Sequence, residues 1–241
     1  MNHVCSFMKF VLILLFFTFP LTSYPEPQEY KATYGLSSKG IEFANSEHSL
    51  FYEKDKNQWC INTVSYTVSI FSLIEDTRKE ASCFSFTEKK DSEDASIPVE
   101  DGYLIFKSYS FERIRSEKRE KVSSKMKKNN LVSTFNEEHK TFDKSSKLDR
   151  LTAQMFGYTL DMININDKGR ERQYNFEHIG DDNINTIFGD TKVRIMKKHI
   201  INNKRSSLIW YSVEKNFVPV VIEQYRYDKL MFRATLKSYD N

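Results

Sequence analysis

Glycine, proline and cysteine are scarce in this chain, and each scarcity removes a class of function. Seven glycines in 241 residues supply no glycine-rich phosphate cradle, which argues against nucleotide binding. Three cysteines without a Cys-x-x-Cys pair leave no redox or zinc motif of that spacing. The histidines fall in no His-Glu-x-x-His pair, and no Gly-x-Ser-x-Gly elbow accompanies them. Glu47 with His48 and Glu138 with His139 are chain neighbours, and neighbours on a strand point to opposite faces. The sequence therefore reads as a non-enzymatic protein with no catalytic residue, metal site or cofactor.

Long apolar runs are scarce too. The one present, Phe10 to Phe19, follows Lys9 and precedes Pro20 and small polar residues, the pattern of a secretory signal. It is too short to span a bilayer. Cleavage is expected after Ser23, with an uncleaved anchor as the alternative. Removal of 1–23 leaves one domain over 24–241, long enough for a single core. The expected address is the periplasm of a Gram-negative bacterium, with no stable transmembrane span after processing.

Neither sign of charge dominates, since 36 basic residues face 33 acidic ones. The most basic stretch, Lys107 to Lys128, mixes glutamates and apolar residues into its charges, so it reads as strands with a solvated face rather than as a nucleic-acid site. Glu88 to Asp101 is acidic and poor in apolar residues, and is expected to be a loop.

What the chain has in quantity is β-strand pattern. Two β-rich runs, Arg205 to Val213 and Phe217 to Tyr225, flank the polar break Glu214-Lys-Asn and predict a hairpin, with Pro219 at an edge, a bulge or the strand's start. Earlier runs predict an antiparallel meander over Tyr30 to Leu36, Ile41 to Tyr52, Trp59 to Val68 and Ser82 to Thr87. Later strands are expected over Tyr103 to Ile114, Glu171 to His178, Thr191 to Ile201 and Leu230 to Lys237, with Asp181 to Gly189 as a connecting turn. Folding the run around Cys60 back on the run around Cys83 about a midpoint between Phe71 and Ser72 sets the two cysteines opposite each other. A disulfide is expected there, with two buried thiols as the alternative. One helix is predicted over Leu148 to Ile163, with Ser146 as its cap and Leu148, Leu151, Met155, Thr159 and Met162 on one face. Asp149 and Arg150 at its start are the charged pair that stands out, as a capping charge and a salt bridge. The fold class is mainly β, a curved antiparallel sheet or half-barrel covered by one main helix.

Several of these residues carry a family likeness. Leu148-Asp149-Arg150-Leu151-Thr152-Ala153-Gln154, then Thr186-Ile-Phe-Gly189, Trp210-Tyr211, and Pro219 with Glu223 resemble, in order and spacing, the exported bacterial domain of unknown function numbered 3108. The resemblance implies no activity. It implies a cell-envelope protein similar to the lipoprotein-carrier half-barrels, and hence a carrier for a lipid-like or apolar ligand in a pocket near Leu151, Met155, Trp210 and Tyr211. Three alternatives stand beside it. They are a structural or interaction module of the envelope with a filled core and another envelope protein as partner, an enzyme without a recognisable motif, and an outer-membrane barrel.

Overall fold

The computed structural model describes residues 27–87, 96–99, 102–116, 118–127, 130–135, 138–142, 147–167 and 170–241. The signal-like segment, its cleavage position and Ser146 lie outside these residues. The first four strands are β1 (Tyr30–Ser38), β2 (Ile41–Glu53), β3 (Gln58–Thr67) and β4 (Asp76–Thr87). Five more follow, β5 (Ser96–Val99), β6 (Gly102–Arg115), β7 (Lys118–Lys127), β8 (Asn130–Phe135) and β9 (Glu138–Phe142). After them come β10 (Lys147–Asp149), the helix α1 (Arg150–Met155), β11 (Met162–Asp167) and β12 (Arg170–Thr186). The chain ends with β13 (Gly189–Ile200), β14 (Arg205–Ser212), β15 (Val218–Arg226) and β16 (Lys229–Asp240).

These form one 16-stranded sheet in the order β10 to β16, then β1 to β4, then β6 to β9, with β5 beside β6. Every pairing is antiparallel except β10 with β11. Neighbours in the sheet are almost always neighbours in sequence, because short turns join them. Lys39-Gly40 and Tyr227-Asp228 have positive φ at both central positions, the turn geometry whose twist matches the flanking strands. The exceptions are β4 with β6, which skips β5, and the centre, where β1 pairs with β16 from Lys31 opposite Asp240 to Ser37 opposite Arg233.

That order forces curvature. β9 and β10 are the two outer strands of the path, and laid flat at about 4.8 Å per strand they would lie roughly 65 Å apart. Yet Phe142 and Lys147 are five residues apart in sequence, a reach of at most about 18 Å. The sheet therefore curls until its margins approach.

Its concave side holds the core. Tyr34, Phe84, Leu104, Tyr109, Val193, Ile209, Tyr211 and Val220 are all fully buried. The segment from Asp149 to Leu160 crosses this interior and plugs it. Phe156 meets the edges of Phe84 and Phe86, each at 5.3 Å, and Tyr158 stacks on Phe217 at 4.1 Å.

The structure corrects several expectations. The helix occupies only 150–155; Leu148 belongs to β10, Ile163 to β11, and Met162 is exposed. Asp149 is the cap, its carboxylate accepting from the Leu151 and Thr152 amides. Phe156 caps the end of the helix, and Gly157 follows in a place too tight for a side chain, since a Cβ there would lie 2.6 Å from both Phe176 Cε1 and the Tyr211 hydroxyl. The expected turn over Asp181 to Gly189 is instead strand as far as Thr186, with a bulge between His178 and Gly180 absorbing the irregularity. Within the expected acidic loop, Ser96–Val99 forms β5.

Other expectations match. The hairpin is β14 with β15, and Pro219 sits in a bulge, paired with Tyr211. Cys60 lies opposite Cys83 and the two are joined by a disulfide, with Trp59 opposite Phe84.

Candidate functional site

Alternation decides which side chains enter the concave space. On β2, Ala44, Ser46, His48 and Leu50 share one face; on β3, Ile61, Thr63 and Ser65 lie directly opposite the last three of these. Near one end of the sheet the inward positions are apolar, and the plug covers them. Toward the other end, where the Lys39-Gly40 and Tyr227-Asp228 turns lie, the same positions become polar and a cavity of about 250 Å³ remains. Arg150, Leu151 and Gln154 of α1 form part of its lining, together with residues from nine strands of its wall.

A buried ion pair anchors the floor. Arg150 Nε and Nη2 each donate to Glu80 at 2.5 Å, and the Tyr109 hydroxyl donates to the same carboxylate at 2.7 Å. Burial pushes the Glu80 carboxyl up, but the charge and hydrogen bonds of Arg150, with help from Tyr109, outweigh it and hold the group below the ordinary range. Asp149 behaves oppositely. It accepts from Ser82 at 2.5 Å and from the Thr152 hydroxyl at 2.9 Å, yet complete burial still raises its pKa.

On the wall, His48 Nε2 lies 3.0 Å from Ser46 Oγ, which in turn meets Ser65 Oγ at 2.8 Å. Burial lowers the imidazole to about 4, so it is neutral at pH 7. The Tyr34 ring packs 4.6 Å from it and sends its hydroxyl to the Pro219 carbonyl. Around the mouth stand Arg78, Lys198 and Arg205, with Ser206, Ser207 and Gln224 between them.

The residues singled out from sequence scatter. Leu151 lines the cavity. Tyr211 is fully buried, donating to the Gln154 carbonyl at 2.5 Å. Trp210 and Met155 are partly buried against the core. The apolar pocket expected around these four is therefore packed core among the described residues; the cavity above α1 is mainly polar, and a wider, more apolar hollow of about 920 Å³, bordered by Val64, Ala81, Phe111 and Val122, lies away from them along β3, β4, β6 and β7. Gln154 joins the floor and accepts from Lys198 at 3.4 Å. Gly189 opens β13 with a positive φ just after the two-residue turn Ile187-Phe188, and Glu223 takes the Tyr225 hydroxyl and faces Arg233 at 3.4 Å. Cys60 and Cys83 with Glu53 are the cysteine-containing cluster among the described residues, and the disulfide removes both thiolates as metal ligands.

Sequence reading missed Ser46, His48, Thr63, Ser65, Arg78 and Glu80. A signal was there: these polar residues occupy the same alternation parity as Leu50 and Ile61, the face that should be apolar.

The architecture is that of a β-barrel-like domain, mainly antiparallel with a minor helical part. The chain is similar in fold to the crystal structure of a β-barrel-like protein of domain of unknown function DUF1849 from Brucella abortus, with a TM-score of 0.58, 7% identity, and 88% of this chain and 97% of that one covered. No family model matches the chain, and no curated protein does. A likeness to a domain of unknown function is thus supported, whereas the specific assignment to family 3108 receives no match.

Proposed function

We propose that the protein is a non-enzymatic binding protein of the bacterial envelope, exported to the periplasm, that holds a small ligand or the polar head of an amphiphile in the cavity above α1. The cavity itself carries this reading. At about 250 Å³ it lies at the lower limit of small-molecule pockets, too small for a whole acyl chain and lined mainly by polar groups. A curved, mainly antiparallel sheet with an open space above α1 suits a carrier role, with the ligand's apolar part left outside the cavity.

The Ser46–His48 contact supports catalysis poorly. An imidazole held near 4 is a weak base at neutral pH. Glu80, the carboxylate in the cavity wall, is bound to Arg150 and Tyr109, and the hydrogen bond of the ring among the described residues is the one to Ser46. The pair reads as part of the lining.

Organic extraction and native mass spectrometry of protein purified from the envelope test the proposal. A co-purifying small molecule is expected, and Gln154→Trp, which fills the floor, should expel it while the far-ultraviolet spectrum stays unchanged. Retention of the molecule by that variant would place it elsewhere and sink the reading.

One observation favours a second reading, an interaction module. Ile41, Ile70, Leu73, Ile74, Leu230 and Met231 are exposed, Leu73 at 90%, and all fall at the turn end of the sheet. Phe43 meets Phe71 and Phe232 there at 6.3 and 6.4 Å, making the patch continuous. On that reading Leu73→Asp abolishes a chemically cross-linked envelope complex but leaves ligand retention intact.

A further inference from the structure

The cavity is unevenly charged. Arg78, Arg150, Lys198 and Arg205 line it against the single carboxylate of Glu80 among its described lining residues, and Glu80 is already committed to Arg150 and Tyr109. Asp76, the nearest acidic neighbour of Arg78 at 3.6 Å, is engaged bidentately by Arg113 at 2.8 and 2.5 Å. Arg205 stands directly opposite Arg226 across the β14–β15 pair, and like charges at opposed positions destabilise a sheet. Cations arranged this way inside a concave wall focus a positive potential on the space between them. The hydroxyls of Ser46, Thr63, Ser65, Ser206 and Ser207 and the amide of Gln224 border the same space. They are the donors with which proteins complete the coordination of an oxyanion.

We infer that the cavity recognises an anionic oxygen group, a phosphate or carboxylate, which seats between Arg78, Lys198 and Arg205. This deepens the binding reading and rests on it. The group draws charge-assisted hydrogen bonds from these cations and further ones from the hydroxyl band. Two sources of such a group fit the space, a free phosphorylated metabolite and the headgroup of an anionic lipid whose chains remain outside, against the exposed apolar rim.

The test is titration of the folded protein, followed by amide chemical shifts, with glycerol phosphate, with dihexanoyl phosphatidic acid, and with the uncharged monohexanoyl glycerol. Shifts confined to the amides of Ser65, Ser207, Gln224 and their neighbours with either phosphate probe support the inference. The headgroup source is assigned when the lipid binds and glycerol phosphate does not, and the metabolite source in the reverse case. Lys198→Gln with Arg205→Gln should weaken phosphate binding about tenfold or more, the loss expected for charge-assisted hydrogen bonds. Arg205 is exposed and Lys198 half-buried, so folding should be retained, and an unchanged thermal transition checks it. If only the uncharged probe perturbs the cavity, the oxyanion inference is overturned while the binding reading stands. If no probe does, both fall. Phosphate binding that survives the double substitution is adventitious and also overturns the inference.

Discussion

Charge in the floor and wall should show in the acid stability of single residues. His48 has a folded pKa of about 4 against an unfolded value near 6.5, so the unfolded chain binds its proton first. Stability is present above about pH 6.5 and is lost as pH falls toward 4, by at most about 3 kcal/mol. Glu80, also depressed, adds a loss of the same sign at lower pH, present above its unfolded value and removed as pH falls through the folded one. Asp149, raised, has the opposite sign, and its stabilisation is lost as pH rises through the raised value. In His48→Gln, denaturant midpoints between pH 7 and 4.5 should therefore vary less than in the parent; equal variation would show that the imidazole does not titrate as stated. The ion pair is the second residue-scale case. Arg150→Met leaves Glu80 charged without its partner and should cost about 3 kcal/mol, the low end for a buried pair because the guanidinium is 36% exposed. Adding Glu80→Gln should recover most of that loss in urea unfolding. The sequence singles out Asp149 and Arg150 as a capping charge and a salt bridge, but it puts the cap itself at Ser146, three residues before the observed one. It does not show Glu80, 70 residues away, because only the packing of α1 across β4 brings them together.

At the scale of elements, strands were easier to read than the helix. Alternation over four or more residues survives any tertiary context, and the chain is strong in it from Tyr30 to Val68. The spacing of Leu151, Met155, Thr159 and Met162 imitates a helical stripe, but Gly157 and the β-branched Ile163 and Ile165 lie within or beyond it. Tertiary contact then decides. The helix stops at Met155, and just beyond it Gly157 lies against Phe176 and Tyr211, where the chain becomes the plug. Gly157→Ala should improve helix propensity yet destabilise the protein by about 1–3 kcal/mol through overpacking, read as a lower thermal midpoint. A rise would mean that the ring and hydroxyl move aside. The disulfide, in contrast, was legible because a hairpin midpoint fixes which residues oppose. It closes a 23-residue separation, and the chain-entropy account assigns it roughly 3 kcal/mol. Denaturation with and without reductant should differ by about that amount, with no change in ligand retention, since the inward face of β3 carries Ile61 and Thr63 on the other parity.

For the whole molecule, a mainly β curved sheet followed from pattern, while the position of the cavity did not. Which stretch of inward face stays open depends on how far the plug reaches, a property of the path between β10 and β11 and of no local run of residues. The meeting of the first and last strands was likewise hidden, because β1 and β16 carry ordinary alternation and nothing in either announces its partner.

That meeting has a consequence for how the chain could be rewired. Lys31 and Asp240 are paired, and the Asn241 side chain reaches Gln28 at 3.5 Å, so in a chain trimmed to residues 28–241 a short peptide can join Asn241 to Gln28. Opening the resulting ring between Phe142 and Lys147, where the sheet passes from one margin to the other, gives a circular permutant that starts at β10 and ends at β9. Strand order in space then becomes strand order along the chain, and the longest-range pairing in the sheet turns into a local hairpin. Because folding slows as contacts span more of the sequence, the permutant should refold faster than the parent at similar stability, as stopped-flow fluorescence of Trp59 and Trp210 would record. A slower permutant would mean that the linkage between the two margins, and not the pairing of the ends, organises the folding nucleus.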